Sequence, residues 1–245
     1  MSGLDGTIEA DGDSFAELLQ IALSVTADAL SITNLGKMIN ERYLHHYMSH
    51  RMQVKHEVLE LQKSENRLLL HPEWPTWKKS TGLKYGQYKC RKAEAKKTKK
   101  YFPANQVKGG AGFIDFALGS YNFPVIAIEV TTKSGWGHEE VVYDLMKLLD
   151  ARNRTFKAVI SCNVILRELG VAKGGHKVHL NNRMNEAFAE AKKRLGNYLC
   201  KDSRMIYFFT SEISPTDSRH WHYDCKKEVV VENLQGELAG IFAEK

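Results

Sequence analysis

Residues 113–133 read FIDFALGSYNFPVIAIEVTTK. Two apolar runs flank a turn: Phe113–Leu118, then Gly119 to Asn122, then Val125–Thr132, which Pro124 introduces. The second run is rich in β-branched residues, so both predict strands. Side chains alternate along a strand. On that rule Ile114, Phe116 and Leu118 share one face, and Phe113, Asp115 and Ala117 the other. In the second strand Ile126, Ile128 and Val130 share a face opposite Val125, Ala127, Glu129, Thr131 and Lys133. Each strand thus sets one acid among small or apolar residues, where a carboxylate is costly unless paired or coordinated. A hairpin would bring Asp115 close to Glu129. Neighbouring carboxylates repel, and a divalent cation relieves that repulsion.

Outward from this stretch the pattern continues. His138–Arg152 is amphipathic, with Val141, Val142, Leu145, Leu148 and Leu149 on one face. Phe156–Ile165 predicts a strand, residues 183–200 a helix, Met205–Thr210 a last core strand and Val229–Val231 an edge strand. Upstream, residues 14–33 predict a helix with Ser14 as N-cap, and residues 37–66 a more polar one. His71-Pro72-Glu73-Trp74-Pro75 ends it, since each proline removes a donor and restrains its predecessor. Helices followed by β-β-α-β-α-β predict an α/β fold with a mixed central sheet flanked by helices. The expected organisation is an N-terminal helical region, 1–70, packed on an α/β domain, 71–245, that carries a basic arm at 76–108.

Charge is distributed unevenly. The net charge is +6, but residues 78–100 hold ten bases and one acid, while residues 1–40 hold six acids and one base. Lys89, Arg91, Lys92, Lys96, Lys97, Lys99 and Lys100 form the densest cluster, interleaved with Tyr85, Tyr88, Tyr101 and Phe102. Lysines neutralise phosphates, and aromatics stack on unpaired bases, so the arm predicts a nucleic-acid partner. The alternative is a solvated loop whose aromatics pack on the body. No apolar run reaches the ~18 residues a membrane helix needs. The acidic, polar N-terminus is unlike a signal peptide, which predicts a cytoplasmic protein. The cysteines, Cys90, Cys162, Cys200 and Cys225, are far apart and read as reduced thiols. His46 and His50 stand at helical i, i+4 spacing, but no third metal ligand accompanies them. A GxSxG elbow and a phosphate loop are both absent from the sequence, which removes those hydrolase and nucleotide-binding classes.

The run from Gly112 to Lys133, the helix EEVVYDLMKLLDAR and the strand KAVISCNVI together resemble the PD-(D/E)xK nuclease superfamily, the restriction endonuclease-like fold. Asp115 matches the family's first acid and Glu129 its second, fourteen residues later. The resemblance covers about residues 95–165 and places a preceding strand near Tyr101–Val107. It implies an endonuclease acting on DNA. Asp115, Glu129 and the Val130 carbonyl would hold Mg²⁺, with Mn²⁺ as substitute, and a homodimer would cut both strands. Ile114 replaces the family's proline, and Thr131 stands where its lysine is expected. Lys133, on the acids' strand face, is the preferred replacement; Lys147, on the following helix, is the other. An additional acid from an early helix would be Glu57, Glu60 or Glu65. The displaced lysine also motivates an alternative, a catalytically inactive nucleic-acid-binding module on the same fold. An RNA-directed nuclease is a third reading.

Overall fold

The structure, a computed structural model, describes residues 12–31, 40–55, 58, 60, 62–63, 68–75, 113–153, 155–167, 176–201, 204–214, 218–224 and 229–232. The basic arm, the Tyr101–Val107 segment, Glu57 and Glu65 lie outside these residues. Seven strands form one mixed sheet in sequence order: β1 (Leu70–Pro75), β2 (Phe113–Gly119), β3 (Pro124–Lys133), β4 (Ala158–Leu166), β5 (Met205–Ile213), β6 (Ser218–Asp224) and β7 (Val229–Glu232). The pairings of β3 with β4 and of β4 with β5 are parallel, and the others antiparallel. Each parallel pair needs a crossover. Helix α3 (His138–Leu149) makes the first and α4 (His176–Leu195) the second; α1 (Gly12–Ser31) and α2 (Glu41–Gln53) precede the sheet. The expected mixed sheet flanked by helices is therefore what forms.

The two faces are covered by different helices. Leu23, Leu30, Leu44 and Met48 of α1 and α2 pack on Phe116, Ile126, Ile128, Val130 and Ile160. Val142, Met146, Met184 and Phe188 of α3 and α4 pack with Phe208 and Trp221 on the opposite face. Successive residues Phe208 and Phe209 go to different sides, as the strand period requires. The β3 run is buried almost throughout, the signature of a strand covered on both faces. Cys162 is buried, and neither it nor Cys200 is in a disulfide. Among the described residues, no helix is long and apolar enough to cross a membrane.

Four details differ from the sequence reading. Ser14 lies inside α1, which starts at Gly12. Asn40 caps α2 instead of the helix starting near 37, its side chain accepting the Tyr43 N–H, and α2 ends at Gln53. The HPEWP segment is not a helix terminator but part of β1, beside β2. Proline is tolerated on an edge strand, whose outer N–H groups need no ladder partner. Last, β6 contains the His220-Trp221-His222 run, and buried Trp221 serves the core.

The β2–β3 hairpin needs Gly119. Its φ is +116°, and a Cβ there would come within 2.9 Å of the Val125 nitrogen. A side chain at 119 would therefore disturb the register that aligns Phe116 with Ile128, and with it the acids one step beyond.

Candidate metal centre

The β2–β3 ladder runs from Gly119 to Phe116 and stops there, opposite Ile128. The next position would pair Asp115 with Glu129. On the other side, β1 pairs Pro72 with Phe116 and Trp74 with Ile114, so Glu73 stands level with Asp115. Three acids on three neighbouring strands thus share one row. The sheet is irregular along it. Glu73 has φ +51°, a left-handed value that costs a non-glycine residue ~1–3 kcal/mol. Leu70 packs on the α1/α2 side, but Trp74 packs on the α3 side. Phe116 and Ile114 differ in the same way. Simple alternation, which grouped Ile114 with Phe116, fails here because both strands reverse faces at this row.

The irregularity frees Asp115 from the face assigned to it. Its Oδ2 accepts the Val130 backbone N–H at 2.7 Å, taking the place of a ladder carbonyl. The same oxygen lies 3.3 Å from His45 Nε2, which α2 brings in over the edge of the Phe116 ring. Burial raises the Asp115 carboxyl, but His45, the Lys147 ammonium and the Val130 N–H outweigh it and hold it below its ordinary value. Burial also lowers His45, and the Asp115 carboxylate, with Glu41 and Glu73 farther off, reverses this and raises it.

Glu129 is met from the other side of the sheet. Lys147 Nζ lies 2.5 Å from Glu129 Oε2, 3.1 Å from Asp144 Oδ1 and 3.0 Å from the Phe113 carbonyl, to which it donates. Both Glu129 and Lys147 are buried, at 2% and 3% exposure. Burial pushes the Glu129 carboxyl well above its ordinary range, with Lys147 pulling the other way. Burial works against the Lys147 charge, but Asp144, Glu129 and Asp115 together raise its pKa and keep it protonated. Thr131, at the position where the resemblance places a lysine, donates its hydroxyl to Asp144. Position 131 is thus joined through Asp144 to the helix lysine.

The C-terminal end of α3 is anchored so that Lys147 is fixed. Asn153 donates to the Lys147 carbonyl at 2.8 Å, and the buried Arg204 guanidinium donates to the carbonyls of Leu148, Asn153 and Phe156. The bonds to Lys147 and Leu148 satisfy carbonyls that the helix end leaves without partners.

The residues fit a divalent cation. Glu129 Oε1 is buried and has no hydrogen-bond partner among the described residues. The Asp115 side chain keeps 16% exposure, so the row remains open on that side. Asp144, Glu129 and Asp115 act together on the one Lys147 ammonium, an excess of acidic groups that a hard cation would offset. Asp115 and Glu129 are close enough for the Asp115 charge to raise the Glu129 carboxyl, yet their paired side chains come from opposite sheet faces. Lys133 does not join them. It is 44% exposed and lies 3.8 Å from Glu140 on the surface. Val130 donates its N–H to Asp115.

Other sequence candidates fall away from the row. Glu60 is exposed and pairs with Lys63 at 2.7 Å. His46 and His50 are exposed on α2, and the histidine facing the sheet is His45. His45 went unnoticed because its partners are not at helical spacing from it. A stripe through buried Leu44, Met48 and Met52 would have placed it beside the inward face. Glu73 was missed for the same reason: only the tertiary register brings it to the row, whereas Asp144 is within one helical turn of Lys147. No family model, curated protein or solved structure matched the chain.

Proposed function

We propose that this protein is a Mg²⁺-dependent endonuclease acting on DNA, with a restriction endonuclease-like core. The single observation that carries the reading is the Glu129–Lys147 pair beside Asp115. A strand-borne acid pair with an ammonium supplied by the next helix is the constellation a phosphodiesterase needs, with its lysine moved from position 131 to 147.

Asp115 and Glu129 Oε1 would hold the ion. When bound, Mg²⁺ supplies charge for the phosphate oxygens and acidifies a water. The chain's own groups do the rest. Lys147 favours the ionised form of Glu129, and its own partners on β2, β3 and α3 fix the orientation of the pair. His45 and the Val130 N–H do the same for Asp115 from the opposite side. Both carboxylates are thus positioned before substrate arrives, which avoids reorganisation during reaction. The lysine-rich arm between β1 and β2 supplies phosphate affinity, and its position in the chain leads it directly into Asp115.

The test is plasmid nicking by the full chain with Mg²⁺ and with chelator. Wild type should nick only with Mg²⁺, and Asp115→Asn should not nick at all. Nicking that persists in Asp115→Asn overturns the site. Salt-sensitive DNA binding without any cleavage would instead identify a binding module, and preferential cleavage of a matched RNA duplex an RNA-directed enzyme.

A further inference from the structure

Asp115 faces a second set of ligands on its α2 side. His45 Nε2, a Glu73 carboxylate oxygen and an Asp115 carboxylate oxygen all lie within 4.8 Å of one another. They come from α2, β1 and β2, so the tertiary fold assembles them. His45 Nε2 is a buried atom that makes no well-directed hydrogen bond among the described residues, although it lies 3.3 Å from Asp115 Oδ2. Glu73 is exposed, and among the described residues it is the non-glycine residue held at positive φ. That backbone is what lets β1 reverse faces at the row, with Glu73 level with Asp115.

From this geometry we infer that His45, Glu73 and Asp115 form a second cation site, which takes a transition ion of the Mn²⁺ class in preference to Mg²⁺. The inference rests on the reading of Asp115 as a cation ligand and adds a distinct site to it. The ligand chemistry sets the preference. Mg²⁺ demands hard oxygen donors in near-ideal octahedra, whereas an imidazole nitrogen suits Mn²⁺ and later first-row ions. The three atoms already lie within 4.8 Å of one another, and the exposed Glu73 side chain can close on the ion. Three protein ligands with one of them exposed leave coordination positions open, unlike a closed structural zinc site.

The experiment is a Mn²⁺ titration of the full chain, read by the paramagnetic resonance of free Mn²⁺ and by calorimetry. Circular dichroism checks the fold of each variant. Wild type should bind two Mn²⁺ per chain, and Glu73→Gln and His45→Gln one. Mg²⁺ should displace one ion readily and the other only at about tenfold or greater excess. Glu73→Gln removes an exposed carboxylate, so it reports even if the His45 variant fails to fold. Equal stoichiometry and affinity in wild type and Glu73→Gln overturns the second site. A single Mn²⁺ that is lost in Glu129→Gln but kept in Glu73→Gln overturns it too, while leaving the nuclease reading intact. No Mn²⁺ bound by wild type overturns both.

Discussion

Lys147 reaches Glu129 from helix α3, its Nζ 2.5 Å from the carboxylate, while Lys133 on the acids' own strand points to the surface. The two lysines therefore separate cleanly by experiment. Lys147→Met leaves Glu129 and Asp144 buried without their cation, and loss of one partner of a buried pair costs about 3–5 kcal/mol. Urea unfolding should show that loss, and plasmid nicking should disappear. Lys133→Ala should change stability by no more than about 0.5 kcal/mol, because exposed pairs contribute little, and nicking should persist. Loss of nicking in the Lys133 variant alone would reverse the assignment.

Thr131 and Lys147 are coupled through Asp144. Returning a lysine to the strand should therefore compensate for its removal from the helix. The double variant Thr131→Lys with Lys147→Met should be more stable than the sum of the two single changes allows, by ~1–2 kcal/mol of interaction energy in a double-mutant cycle. Strict additivity in urea unfolding would mean that position 131 does not reach the same carboxylates.

The His45–Asp115 pair gives a pH signature in the metal-free protein. Asp115 is lowered from 3.8, so its contribution is present above that value and fades as pH falls through the depressed one. His45 is raised from 6.5, so its contribution is present below 6.5 and is lost as pH rises through the raised value. Glu41 on α2, Glu73 on β1 and Asp115 on β2 all favour the charged imidazole. The stability difference between wild type and His45→Gln should peak between 3.8 and 6.5 and narrow above it. A difference that grows with rising pH would contradict the pairing.

The arm's lysines should act as phosphate neutralisers. Replacing Lys96, Lys97, Lys99 and Lys100 with alanine should reduce the slope of log affinity against log salt on duplex DNA. The reduction should be about 0.9 for each phosphate that is no longer neutralised. Fluorescence anisotropy over a salt series measures it. An unchanged slope would remove these residues from the DNA interface.

The strand-turn-strand stretch, the helix after it and the next strand were legible because period and β-branching are local signals: Val125–Thr132 could hardly be anything but a buried strand. Asp115 and Glu129 were legible as acids out of place among apolar neighbours. What stayed hidden depends on register. Pro72 and Pro75 argue locally against a strand, and only the pairing with β2 shows that β1 is an edge. Ile114 followed the alternation rule in sequence and broke it in space, because Glu73 and Asp115 reverse both strands together. Lys147 ranked second to Lys133, since a buried ammonium looks like a solvated one in sequence until carboxylates arrive from other elements.

The most direct measurement is anomalous scattering from crystals grown in Mn²⁺. An ion within about 2.0–2.4 Å of both an Asp115 oxygen and Glu129 Oε1 is the predicted result. A carboxylate pair that stays empty, with Asp115 turned wholly toward α2 and Glu129 closed off by Lys147, would contradict the nuclease account.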